Sequence, residues 1–177
     1  MDLREQLSHN IHQHDIQEIC LQLAGSREQG DGYSLRSKLY GLLFDDDLRV
    51  ANNAAWVLTH LGKTDGAWME QHREELVDEV MHTGDSTRRR LLMTLLERMH
   101  FGKEHVQPAF LDFCLGLILD SSASSGTRSL AIKLAYAQCR HYQELGEELR
   151  STLQMMDAET LLPGVKNTRA KILNKKH

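Results

Sequence analysis

The chain has 177 residues, 41% hydrophobic and 26% charged, with 21 Lys+Arg against 25 Asp+Glu for a net charge of −4. This is the composition of one globular domain, and its acidic balance excludes a global electrostatic drive toward nucleic acid. The longest apolar stretch, residues 110–119, is interrupted by Asp112 and falls well short of the roughly 20 residues a bilayer span needs.

Residues 1–15 are charged and lack an apolar segment, so they do not read as a secretory signal, and a cytoplasmic address is expected. Cys20, Cys114 and Cys139 lie far apart in apolar helical sequence and read as buried, reduced thiols that agree with that address. Only two prolines occur, and apolar residues follow a 3.6 period. The expected class is all-α.

Residues 2–9 and 13–24 read as a first helix pair, with Ile16, Ile19, Cys20 and Leu23 on one stripe. Residues 25–32 (GSREQGDG) read as a break, and residues 34–44 as a helix with Leu35, Leu39, Leu42 and Leu43 turned inward. Asp45, Asp46 and Asp47 then suit a turn and an N-cap, where side-chain oxygens accept orphan amides at the positive helix end. No further acids stand at ligand spacing, which favours capping over a metal.

Residues 65–82 are expected as one helix carrying Trp68, Leu76, Val77, Val80 and Met81. Gly84, Asp85 and Ser86 turn into the clearest amphipathic stripe, Leu91, Leu92, Leu95, Leu96 and Met99. Residues 104–119 form a helix apolar on several sides, with Pro108 near its first turn, as expected in the middle of an array. Residues 120–127 read as a small-residue loop with an N-cap. Residues 142–156 and 158–173 close the chain, with an acid-free basic stretch from Lys166.

A helix-sized pattern recurs along this walk. Asp47, Ala54, Leu58 and Leu61 are matched 38 positions on by Asp85, Leu92, Leu96 and Met99. A further shift of 39 places Thr127 on Val50 and Ala131 with Ile132 on Ala54 and Ala55, with poorer matches at Ala135 and Gln138. A period near 40 filled by two helices marks an α-solenoid, whose helix pairs bury their apolar faces against neighbours.

The pattern Asp-x-x-Val-x-x-x-Ala-Ala-x-x-Leu-x-x-Leu, best kept in residues 47–61 (DLRVANNAAWVLTHL), resembles the second helix of a HEAT repeat. The resemblance implies an α-α superhelix, a right-handed solenoid of about four to five hairpins in a single domain over residues 1–177. Repeats are expected at 31–62, 65–100 and 104–140, with capping hairpins at 2–25 and 142–173.

Motifs of catalysis are missing: there is no HExxH, CxxC, phosphate-binding glycine loop or Gly-x-Ser-x-Gly elbow. His9, His12 and His14 cluster before Asp15 where the chain turns, without Cys support, and read as solvated surface rather than a zinc site. No cofactor is expected. HEAT-like architecture implies that second helices line a concave face. Its non-core positions are Arg49, Asn52, Asn53, Trp56 and His60, then Arg90, Thr94 and Arg98, then Ser129 and Lys133. Trp and Arg are over-represented among binding anchors, while Trp56 fits packing between repeats equally well. In the run Arg88, Arg89, Arg90, helical spacing sends the side chains in different directions.

Together these readings describe a non-catalytic interaction module for a protein or peptide. The alternative is a nucleic-acid-binding protein akin to HEAT-like glycosylases for alkylated DNA bases, with Trp56, Arg90, Arg98 and Lys133 in a groove. A homodimer through the terminal repeats is a third possibility.

Overall fold

The computed structural model describes residues 2–28 and 32–175. Among them are eleven α-helices and no strand: α1 (Leu3–Leu7), α2 (Gln13–Glu28), α3 (Gly32–Gly41), α4 (Leu48–Thr59), α5 (Gly66–Glu70), α6 (Arg73–His82), α7 (Ser86–Glu97), α8 (Pro108–Leu119), α9 (Ser125–Cys139), α10 (Gln143–Met155) and α11 (Pro163–Leu173). None is long and apolar enough to cross a membrane. The helices stack as successive hairpins. The second helices α4, α7, α9 and α11 pack side by side in one layer, and α6, α8 and α10 lie against them as a second. One hydrophobic cluster runs from Leu3 to Val165, so the core is a ribbon threaded through every hairpin.

The recurring start signals act as caps. Asp47 accepts the Arg49 amide at 2.8 Å, Asp85 the Arg88 amide at 2.6 Å, and Ser124 the Thr127 amide at 3.2 Å. Each such cap stabilises its helix by about 1 kcal/mol. Asp45 does something else: its carboxylate takes both Nε and Nη2 of Arg4, at 2.8 and 3.0 Å, and pins α1 to the turn before α4.

Second-helix arginines supply the matching closures at the other helix ends. Arg89 donates from Nε to Val80 O at 3.1 Å and from Nη2 to Thr83 O, at the end of α6. Arg128, 39 residues on, donates from Nε and Nη2 to Ile118 O at 3.1 and 2.8 Å, at the end of α8. Arg169 gives Nε to Leu153 O at 2.7 Å, at the end of α10. Carbonyls left over at a helix C-terminus carry partial negative charge, so a guanidinium satisfies both their hydrogen bonds and the dipole.

Four boundaries differ from the sequence expectation. α2 continues through Gly25 to Glu28, because a single glycine costs a helix only about 1 kcal/mol and does not stop it; of the expected break, residues 29–31 lie outside the described residues. The expected helix 65–82 is two, α5 and α6, separated at Gln71 and His72. There the His72 ring stacks on Tyr40 at 3.9 Å and meets the edge of Trp68 at 4.9 Å. α8 starts at Pro108 itself, after a turn of 3-10 helix at Lys103–His105, and α11 starts at Pro163 rather than at residue 158. Proline pre-sets φ for the first helical position and lacks the amide that would go unpaired there.

Cys114 and Cys139 are buried and Cys20 half-buried, all three as free thiols. Burial pushes the Cys114 thiol far up and the Cys139 thiol up to about 12, so neither forms a thiolate near neutrality.

Candidate functional site

The ten ladder residues fall on α4, α7 and α9 or at their C-caps, and they divide by what already holds them. Asn53 donates from Nδ2 to Leu7 O and His9 O, both at 2.9 Å, closing the end of α1. Asn52 donates to Asp85 Oδ1 at 3.3 Å, joining α4 to the cap of α7. Arg98 donates from Nη2 to Leu61 O at 2.6 Å and from Nη1 to Thr59 O, so it closes the end of α4 from the next second helix. Lys133 pairs with Glu97 at 3.2 Å across α7 and α9. These four side chains join one helix to another.

The remaining six are less committed. Arg49 and Arg90 are exposed, and neither side chain makes an ion pair or hydrogen bond. Trp56 is half-buried, packed on the core cluster, with the exposed His60 ring set edge-on at 6.3 Å. Thr94 is half-buried and returns its hydroxyl to Arg90 O at 2.9 Å; Ser129 is half-buried. Arg90 therefore stands alone in its run. Arg88 is buried beside Glu79 at 3.0 Å, and Arg89 is spent on the end of α6.

Two features escaped the sequence reading. The first is an aromatic knot where α3 meets α5 and α6. Arg36 lies 4.5 Å over the Trp68 ring and pairs with the buried Asp65 at 3.0 Å, and Tyr40 donates to Glu75 at 2.5 Å. Burial and the Glu75 contact drive the Tyr40 hydroxyl far above its ordinary value, while burial lowers the His72 imidazole. No motif could reveal this knot, because its members are strung over residues 36–75 with no fixed spacing.

The second is a cleft of about 400 Å³ at the C-terminal ends of α4 and α7, roofed by the turn before α5. Leu58, Leu61, Met69, Leu95 and Met99 make its apolar wall, and Lys63 and Arg98 also line it. A faint signal existed: Gly62 and Lys63 after the first repeat are echoed by Gly102 and Lys103 after the next.

Among the described residues no group of three His, Cys, Asp or Glu side chains is placed to hold a metal ion. His14 meets Asp15 at 2.9 Å and stacks beside His12.

Stacked helical hairpins, a core that never closes on itself and side chains that tie each repeat to the next define an α-solenoid scaffold. A family model described as HEAT repeat domain matches residues 3–176. The chain belongs to the HEAT repeat family, whose members are in general non-enzymatic scaffolds for interaction. No curated protein and no solved structure matches the chain.

Proposed function

We propose that this protein is a non-catalytic interaction module that holds a protein or peptide partner on the face built from α4, α7 and α9. The observation that carries the reading is the uncommitted set on that face: Arg49 and Arg90 free of partners, beside a Trp56 that the core does not seal. Arg and Trp of this kind are the usual anchors of protein interfaces. A nucleic-acid groove is less well supplied. Of the four residues suited to one, Arg98 is held on carbonyls and Lys133 on Glu97, in a chain of net charge −4.

The test is selection of binders to the full chain from a random peptide display library, followed by affinity measurement on variants. Trp56→Ala and Arg90→Ala are each expected to weaken the selected peptides about tenfold or more. Unchanged affinity in both variants sinks the proposed face.

A further inference from the structure

The cleft at the ends of α4 and α7 sets an apolar hollow beside positive charge. Its wall is made by core residues that turn their outer sides to the opening: Leu61 is 5% exposed and Met99 8%. Lys63 is exposed and makes no ion pair, and Arg98 uses two donors on Thr59 O and Leu61 O while its side chain remains exposed. The single acid in the lining, Asp65, is buried and bound by Arg36 at 3.0 Å. The lining is thus net positive in an acidic chain. A volume of about 400 Å³ also lies in the range of sites that accept a discrete ligand group. Gly66 lines the cleft, and a Cβ there would meet nothing within 4 Å.

Charge complementarity selects the occupant. We propose that this cleft receives the apolar side chain of an acidic peptide segment, a Leu- or Phe-sized anchor seated on Leu58, Leu61, Met69 and Leu95. Its flanking carboxylates meet Lys63 and the outer edge of Arg98. The anchor supplies burial of apolar surface, and the carboxylates supply orientation and steering. Arg98 ends α7 and His60 ends α4, so the cleft continues the face described above, and the proposal rests on that reading of the protein as a peptide binder.

The experiment titrates the full chain against a fluorescein-labelled Glu-Asp-Leu-Phe-Asp-Glu peptide, followed by fluorescence anisotropy. Saturable binding is expected. Replacing the Leu and Phe of the peptide by Ala should weaken it about thirtyfold. Lys63→Glu, an exposed change that leaves the core alone, should weaken it about fivefold and remove part of its salt dependence. Gly66→Phe should abolish it by filling the hollow, with circular dichroism reporting that the helices persist.

Absence of saturation up to about 1 mM peptide overturns the proposal, and so does binding indifferent to both Lys63→Glu and Gly66→Phe. Trp56→Ala and Arg90→Ala separate the two readings. Loss in these with no loss in Lys63→Glu and Gly66→Phe keeps the ladder and removes the cleft; the reverse pattern keeps the cleft and removes the ladder.

Discussion

The turns after α4 and after α7 begin alike and end differently. Leu61, Gly62 and Lys63 lead into 3-10 helix at Lys63–Asp65, and Phe101, Gly102 and Lys103 lead into 3-10 helix at Lys103–His105. In both, the carbonyl of the leading apolar residue is held from the next second helix: Leu61 O by Arg98 at 2.6 Å, Phe101 O by His141 at 2.9 Å and Arg140 at 3.3 Å. The difference is what lies over the side chain. Phe101 is sealed, with the Arg73 guanidinium 5.4 Å from its ring centroid. Leu61 borders an open cleft, and the α3 arginine Arg36 lies over Trp68 and pairs with Asp65. The same backbone device therefore borders a closed edge in one repeat and an open one in the other. Closed edges contribute stability, and the open one leaves apolar surface uncovered.

The largest effect that could break this contrast is at the two apolar residues. Phe101→Ala should cost about 4 kcal/mol in urea denaturation, because it opens a cavity in sealed packing. Leu61→Ala should cost about 2 kcal/mol, since its neighbours already border solvent. Equal losses would mean that the two edges are packed alike.

Next come the arginines. Arg128→Ala should cost about 2 kcal/mol by orphaning the carbonyl end of α8, whereas Arg90→Ala should stay within about 0.5 kcal/mol. If Arg90→Ala destabilises as much as Arg128→Ala, Arg90 belongs to the scaffold and not to the binding face.

Caps come third. Asp85→Ala should cost about 1.5 kcal/mol and Asp47→Ala about 1 kcal/mol, because Asp85 both caps α7 and receives Asn52. The measurement is the shift in urea midpoint at constant slope.

The smallest effect concerns pH. Burial between Tyr40 and Trp68 holds His72 below its ordinary value, partly offset by Glu75 at 3.8 Å. The folded state thus favours the neutral ring. Its contribution is present above the unfolded value of about 6.5 and is lost as pH falls through the lower folded value. His72→Phe keeps the stack and removes the proton, so its urea midpoint should fall less steeply than the parent's in that window. Coincident slopes would show that His72 does not contribute.

Much of the array was legible in the residues. The cap at Asp47, the capped loop at 120–127 and the stripe Leu91 to Met99 are local chemistry, set by side-chain oxygens and the 3.6 period, and the all-α solenoid followed from the recurrence of the pattern. The break between α5 and α6 was not legible. Trp68, Met69, Arg73, Leu76, Val77 and Val80 keep one helical phase across it, so nothing in the pattern marks the two residues where the helix stops. Nor could the ladder be sorted in advance. Asn53 and Arg98 look as free as Arg49 and Arg90 in sequence, and only the nearness of carbonyls at the end of α1 to one and at the end of α4 to the other commits their donors.

Periodicity and capping by themselves determined that this chain makes helices, that the helices pair, and that the pairs repeat, because each depends on residues within a turn or two of one another. The tertiary structure alone decided which cations are spent and which remain, and where the ribbon of core is left open. Both outcomes turn on which carbonyl or ring a neighbouring repeat brings within about 3–6 Å of a guanidinium, a distance that no single repeat encodes.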